Sequence, residues 1–428
     1  VAEPSAPWLR AAYLLVTAVA VPFLLLHLAW RSLRVPAYRR GIAQRFGFGL
    51  PRVGRPAIWV HAVSVGEVQA SAPLVRALLA RHPGVPLVLT TMTPTGAERG
   101  RALFGDRVVH CCVPYDLAYA VRRFMDHVRP ELALIMETEL WPNLWNECGR
   151  RRIPLVLASA RVSPRSVRWY RRLLPLFRDV LSHGVVIAAQ TEADADRFRS
   201  LGAAPERTHV TGNIKVDFEL PADVVPRGAA FRTEHAAGRP VWVAASTHEG
   251  EEELVLSAHR QVRAAAPDAL LVLVPRHPQR FAAVTDLVAR SGLGFVTRSS
   301  GARATAATDV LVGDSMGELT TFYAAADVAY VGGSLVRIGG HNLLEPAALA
   351  RPMVTGPHNE NAADIAALMA GCGALEVCAD AGAVGDAVAR LLADPGARSA
   401  RGAAGQAALA ANRGAVARLL ALVDPLVR

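Results

Sequence analysis

From Ala57 onward, short runs of β-branched and aliphatic residues alternate with amphipathic stretches. AIWVHAV, PLVLTT, VVHCCV, LALIM, PLVLAS and VVIAAQ form a first series that ends near His209-Val210-Thr211-Gly212. PVWVAAS, LLVLVP, LGFVT, DVLVGD, DVAYVGG and PMVTG form a second. Near-continuous apolar runs mark strands buried on both faces, and helical stretches between them make the connections right-handed crossovers of a parallel sheet. The pattern predicts an α/β chain of two doubly wound, Rossmann-like domains with a cleft between facing carboxyl edges. A length of 428 residues suits two such cores. Phe218 to Gly228, with Pro221 and Pro226, has the composition of a linker. The predicted organisation is a membrane anchor over 1–34, a first domain over 35–212, a linker over 213–228 and a second domain over 229–428. The Ala/Arg-rich stretch from Ala379 is expected to be helical, with no chemistry of its own.

Ahead of the first series, Ala11 to Trp30 is twenty residues without a formal charge. As a helix it is long enough to cross roughly 30 Å of hydrocarbon. No small-residue cleavage site follows; Arg31, Arg34, Arg39, Arg40 and Arg45 come instead. Those arginines predict that the following domains stay in the cytoplasm. A helix lying on the membrane face is the second reading. Charged residues make up 20% and hydrophobic ones 52%, which excludes a disordered chain. The net charge of +10 is spread along the chain without a basic arm, and aromatics are only 6%, so nucleic acid is not an expected partner. A membrane surface or an anionic substrate accounts for the excess. Five cysteines without a CxxC pair argue against a disulfide framework or a zinc knuckle.

Candidate chemistry gathers where strands give way to helices. Between Gly313 and Asn361, Met316-Gly317-Glu318 opens one predicted helix and Asn342 to Ala350 forms a second, each behind glycine turns. Such N-termini present backbone N–H groups to phosphates. Glu318 and Glu345 would accept hydrogen bonds from ribose hydroxyls, or else complement the helix dipole. In Trp59 to Ala70 a strand breaks at Ser64-Val65-Gly66 and restarts as a helix with Glu67 in its first turn. Glu67 is a candidate general base, with dipole complementation as the alternative. Glu137 and Glu139 follow the strand LALIM as paired carboxylates that could serve acid/base chemistry or hold a base in place; the alternative is that one caps a helix, a role that suits Glu139 better. Lys215 is the only lysine in an arginine-rich chain. It is a candidate wherever a compact ammonium is needed. Ser246-Thr247 before His248 and several glutamates lacks HExxH spacing and reads as a helix cap whose turn could line a nucleotide site. Arg276 and His277 stand just past a strand, where an arginine clamps phosphate. No Asp-x-Asp pair stands at a strand end to carry a divalent metal, so the charge of a departing phosphate would fall to Arg, Lys and helix N-termini.

Taken in order, WVHAVSVGE, METELWPN, GNIKVD, ASTHEGEEE, VPRHPQRF, MGEL and GGHNLLEP resemble the motifs of the Kdo transferases. That family moves 3-deoxy-D-manno-octulosonic acid (Kdo) from its cytidine monophosphate donor, CMP-Kdo, to a lipid A precursor, lipid IVA, in Gram-negative bacteria. The resemblance implies a GT-B fold and an inverting, metal-independent glycosyl transfer at the inner membrane. It assigns Glu67 as the base, Glu137 and Lys215 to the transition state, and Arg276, His277, Met316, Gly317, Glu318, Asn342, Leu343, Leu344 and Glu345 to the cytidine nucleotide. Leu343 stands where members of the family often have proline. The alternatives are a sugar-nucleotide epimerase of the same architecture and a non-enzymatic membrane-tethered module that binds anionic lipid.

Overall fold

The computed structural model describes residues 7–427 apart from 172–174, 176–177, 179–180 and 182–183. The first six residues of the predicted anchor segment lie outside the described ones. Two compact units are formed, Val1–Phe218 together with Asn412–Arg428, and Glu219–Ala411.

The first unit is built on seven parallel strands: β1 Ala57–His61, β2 Leu87–Thr91, β3 Val109–Cys112, β4 Pro130–Met136, β5 Leu155–Ala160, β6 Val186–Ala189 and β7 Thr208–Val210. Successive side chains leave a strand on opposite faces. Ala57 and Trp59 of β1 therefore enter one core with Phe124 and Trp145, while Ile58 and Val60 enter another with Leu74 and Leu134. This double burial is why the strands read as unbroken apolar runs. Their order is β3-β2-β1-β4-β5-β6-β7, which reverses between β1 and β4. A topological switch point of this kind opens a crevice at the carboxyl edge.

The second unit repeats the plan with β8 Val241–Thr247, β9 Leu270–Pro275, β10 Phe295–Thr297, β11 Val310–Val312, β12 Val328–Val331, β13 Met353–Thr355 and β14 Leu375–Val377. The order is β10-β11-β9-β8-β12-β13-β14, and the reversal falls between β8 and β12. Only β14 has no counterpart in the sequence reading; three residues, Leu-Glu-Val, carry too little pattern to be seen.

Three boundaries differ from the predicted organisation. Ile214–Asp217 is a short 3-10 helix inside the first unit, and a helix, Val224–His235, begins within the predicted linker. Pro226 is tolerated there because first-turn N–H groups have no intrahelical acceptor. The end of the chain belongs with the first unit, not the second. Its helix Ala415–Val423 puts Ala415, Leu419, Leu420 and Val423 into the core beside Ile214. Asp217 holds that helix by its start, accepting from the N–H groups of Gly414 (2.8 Å) and Val416 (2.6 Å).

The helix Pro7–Arg34 is long and apolar enough to cross a membrane, and it fits a membrane anchor. One side of it is fastened to the first unit. Arg10 bonds Asn146, the Tyr13 hydroxyl donates to Asp116 (2.7 Å), and Leu28 is buried with Phe46, Leu117 and Ala120. The other side leaves Trp8, Leu15, Val19, Phe23, Leu26, Trp30 and Leu33 exposed.

Candidate active site

In the first unit the switch point brings together residues that the sequence places 70 positions apart. Glu67 stands in the first turn of the helix Val65–Arg81, just after β1, with Ser64 as N-cap. The Val63 N–H donates to one carboxylate oxygen (2.9 Å), the Ser64 hydroxyl donates to the other (3.1 Å), and the Glu67 N–H donates back to Ser64 Oγ (3.4 Å). This arrangement caps the helix and fixes the carboxylate's direction. Burial disfavours its charge, and the neighbouring carboxylates Glu137 and Glu139 add repulsion. Against the pull of the Val63 hydrogen bond, the group is pushed up to about 7. Gly66 is exposed, and a Cβ there would meet only Ser64 Oγ at 3.8 Å, so its backbone is not sterically demanded.

Glu137 follows β4 in the left-handed region, φ 56°, where a side chain other than Asn, Asp or Gly is strained. Its partner is Lys215, whose ammonium lies 2.7 Å from Glu137 Oε1. Asn213 holds the lysine's turn by accepting from the Lys215 N–H (3.0 Å). The lone lysine therefore belongs to the carboxylate cluster.

Glu139 caps no helix, contrary to the reading of its motif. It accepts from the indole N–H of Trp141 (2.6 Å), and burial together with Glu137 raises its proton affinity. The helix Pro142–Arg150 is capped instead by Asp116, which takes the N–H groups of Asn143 (2.9 Å) and Leu144 (2.8 Å). His61, buried on β1, bonds Thr90 through Nδ1 (2.9 Å) and packs its ring edgewise on Trp141. Burial lowers it to about 4, so it is neutral.

In the second unit, β8 ends at Ser246 and Thr247, with Ser246 at φ 59°. The expected Ser/Thr cap does not form. The helix Glu252–Ala265 starts without a side-chain cap, and Thr247 Oγ1 instead faces the Glu252 carboxylate at 3.3 Å. Glu251, fully buried, crosses the switch point to accept from the N–H groups of Gly333, Ser334 and Leu335 and from the Tyr330 hydroxyl. It thereby builds the glycine loop after β12, a role no local pattern announced.

Arg276 and His277 leave the end of β9 exposed. Arg276 forms no ion pair among the described residues, whereas Arg280 is spent on Glu252 (3.0 Å). The positive charge of Arg276 favours the ionised form of Glu345 and disfavours the protonated forms of His248 and His341. His248 lies parallel to His341, their Nε2 atoms 2.7 Å apart, and meets the His277 ring edge to face with the centroids 5.3 Å apart. His341 is lowered to about 4, chiefly by burial and then by His248 and Arg276.

The two predicted helix starts differ in kind. Glu318 is the N-cap residue of the helix Leu319–Ala325, but its carboxylate is taken up by Arg298 (2.9 and 3.1 Å) and by the Ser315 hydroxyl, which hold it below the usual carboxylate range. It is a structural ion pair as it stands, beside Gly317 at φ 81° and Met316, 68% exposed. The second helix is shorter than predicted, Leu344–Ala348. Asn342 Oδ1 accepts from the Leu344 N–H (3.0 Å), and Leu343 and Leu344 are buried. Glu345 is raised by burial against a hydrogen bond from Asn342. Among the described residues, no group of three or more His, Cys, Asp or Glu side chains is disposed to hold a metal.

Two seven-stranded parallel α/β units with chemistry at each switch point are the anatomy of a GT-B glycosyltransferase. A glycosyltransferase from Rickettsia africae has this fold, with a TM-score of 0.57 over 87% of this chain and 98% of that one at 10% identity. So does the UDP-GlcNAc 2-epimerase of Neisseria meningitidis, with a TM-score of 0.56 over 85% and 100% at 13% identity. Residues 40–218 match the family described as 3-deoxy-D-manno-octulosonic-acid transferase (kdotransferase). The chain is 42% identical to the 3-deoxy-D-manno-octulosonic acid transferase of Haemophilus influenzae, over 95% of this chain and 96% of that one. It is 40% identical to that of Bordetella pertussis, over 88% and 89%. The chain belongs to the Kdo transferase family and is a glycosyltransferase of lipopolysaccharide biosynthesis.

Proposed function

We propose that this enzyme transfers Kdo from CMP-Kdo to a sugar hydroxyl of lipid IVA with inversion at the anomeric carbon, without a metal. Glu67 takes the proton of the acceptor hydroxyl as its oxygen bonds to the anomeric carbon. The bond from that carbon to the CMP phosphate oxygen breaks, and the phosphate leaves with the electron pair. The observation that carries this reading is the carboxylate of Glu67, pushed up to about 7 in a cluster where Lys215 pairs Glu137. A base with that affinity is half-ionised near neutral pH and can both take and release a proton. The Glu137–Lys215 pair stabilises the oxocarbenium-like transition state. Unpaired Arg276 and the N–H groups at Asn342 to Glu345 receive the nucleotide phosphate, with His277 and Met316 to Glu318 completing the nucleotide site and Ser246 and Thr247 lining it.

The catalytic units belong on the cytoplasmic side of the inner membrane. The anchor helix is held to the first unit at Arg10, Tyr13 and Leu28, contacts spread over about 27 Å of helix. A helix so held would carry Asp116 and Asn143 into hydrocarbon if it crossed the bilayer. Lying in one leaflet on its exposed apolar face avoids that cost.

The test is incubation of the wild type and Glu67→Gln with CMP-Kdo and tetraacyl lipid IVA, products being weighed by mass spectrometry. The wild type adds Kdo, and the variant loses about 10²–10⁴-fold in rate while still binding CMP-Kdo. Wild-type turnover in Glu67→Gln removes Glu67 from the mechanism, and hydrolysis of donor without any acceptor product removes the transfer.

A further inference from the structure

Away from the carboxylate cluster, the first unit holds a cavity of about 120 Å³ between the segment 37–45 and the start of the helix Pro94–Phe104. Its lining includes Arg40, Arg45, Thr93, Glu98, Arg101 and His110. Arg45 is only 3% exposed. One of its terminal nitrogens donates to the Met92 carbonyl (2.7 Å), while its buried Nε has no partner and no carboxylate pairs with it among the described residues. A cation taken out of water without a counter-charge is costly, and natural chains keep one only where something neutralises it. Among the described residues the side-chain neighbours of Arg45 are neutral, the Tyr115 hydroxyl included, and no carboxylate meets it.

The surroundings favour an anion. The first two turns of the helix Pro94–Phe104 wall the cavity with Pro94, Ala97, Glu98 and Arg101, and Thr93 caps the helix by accepting from the Gly96 N–H (3.1 Å). Three arginines, Arg40, Arg45 and Arg101, converge on the cavity. Arg40 and Arg101 stand exposed at the rim, neither in an ion pair among the described residues. Glu98, also exposed, is the one acidic residue in the lining. His110 bonds Thr91 (3.0 Å) and is kept neutral by burial and by Arg101, lowered to about 4. One wall of the cavity is the chain that leaves the anchor helix, whose last turn carries Arg31 and Arg34. That wall begins a few residues past the helix that fits a membrane anchor.

We infer that this cavity is a binding site for the phosphomonoester headgroup of a membrane lipid, gripped by Arg45 inside and by Arg40 and Arg101 at the mouth. Planar guanidinium forks match the several oxygens of a terminal phosphate, and a phosphodiester offers fewer of them. The probe lipid offers no sugar hydroxyl to receive Kdo, so its binding is read separately from transfer.

The test places the full chain in phosphatidylcholine nanodiscs and measures its unfolding temperature with phosphatidic acid, with phosphatidylglycerol, or with inorganic phosphate in solution at constant ionic strength. Native mass spectrometry counts retained lipid. Phosphatidic acid is expected to raise the unfolding temperature by several degrees and to be retained, phosphatidylglycerol to do much less. Both effects should vanish in the rim variant Arg40→Gln/Arg101→Gln, which leaves the interior untouched. Arg45→Met should likewise lose the response, yet be the more stable protein in phosphatidylcholine alone, since it removes an uncompensated charge. Equal responses to the two anionic lipids, or a response that survives in the rim variant, overturn the site. A response to inorganic phosphate with none to phosphatidic acid overturns its assignment to a lipid. Should Arg45→Met fail to fold, the rim variant decides.

Discussion

At the residue scale, Glu67 is the group on which chemistry and stability pull in opposite directions. Its folded proton affinity lies at about 7 against an ordinary 4.5, with burial the first cause. Between those values the folded chain binds more protons at this site than the unfolded chain does, so its contribution to stability falls as pH rises. Glu67→Gln removes the buried charge. The variant should match the wild type near pH 4.5 and be more stable by about 1–2 kcal/mol at pH 8, after discounting for solvent screening. Catalysis runs the other way, because only the ionised carboxylate accepts a proton. The kcat/KM of the wild type should rise tenfold per pH unit below about 7 and level off above it. Urea unfolding at the two pH values and a pH–rate profile check the pair. A wild type that is the more stable protein at pH 8 contradicts the burial argument.

At the element scale, the decisive residues hold elements to which they do not belong. Asp116 lies in the loop before the helix Ala118–Val128, but it caps Pro142–Arg150 and takes the Tyr13 hydroxyl of the anchor helix. Asp116→Ala leaves two first-turn N–H groups and one hydroxyl without their acceptor. It should cost about 1–2 kcal/mol and speed amide exchange at Asn143 and Leu144, as hydrogen exchange would record. Glu251 and Asp217 act in the same way on the Gly333–Leu335 loop and on the helix Ala415–Val423. None of these three roles was legible in the sequence, because the donors come from segments far along the chain. Glu67 was legible, since a strand end, a Ser N-cap and a first-turn glutamate fall within a few residues. Glu139 was misread for the complementary reason. Its motif looks like a helix cap, but Trp141 sits at the N-cap position and Asp116 reached the N–H groups first.

At the scale of the whole molecule, the chain end returns to the first unit, which is therefore built from two segments separated in sequence by the second unit. Leu419 is fully buried in the core shared by β1, β4 and the helix Val65–Arg81. Leu419→Ala should destabilise the first unit by about 2–5 kcal/mol while leaving the second unit unchanged. Denaturant unfolding followed separately by Trp59-region and Trp242-region amide exchange would show one transition moved and the other fixed. A shift in both would mean the units do not unfold independently.

The sequence by itself determined most of the strands and helices, β14 and the helix Val224–His235 apart, because period-2 and period-3.6 burial are properties of a few neighbouring residues. Strand-end carboxylates and the lone lysine were readable for the same reason. Only the tertiary structure decided that β4 lies beside β1, which sets Glu137 and Glu139 against Glu67 and brings Lys215 to Glu137. It also decided that Asp217 draws the last helix into the first unit, and that Arg45 is buried with no carboxylate beside it. Pairing between distant segments is settled by burial and by closing hydrogen bonds across the fold, quantities that no window of neighbouring residues contains.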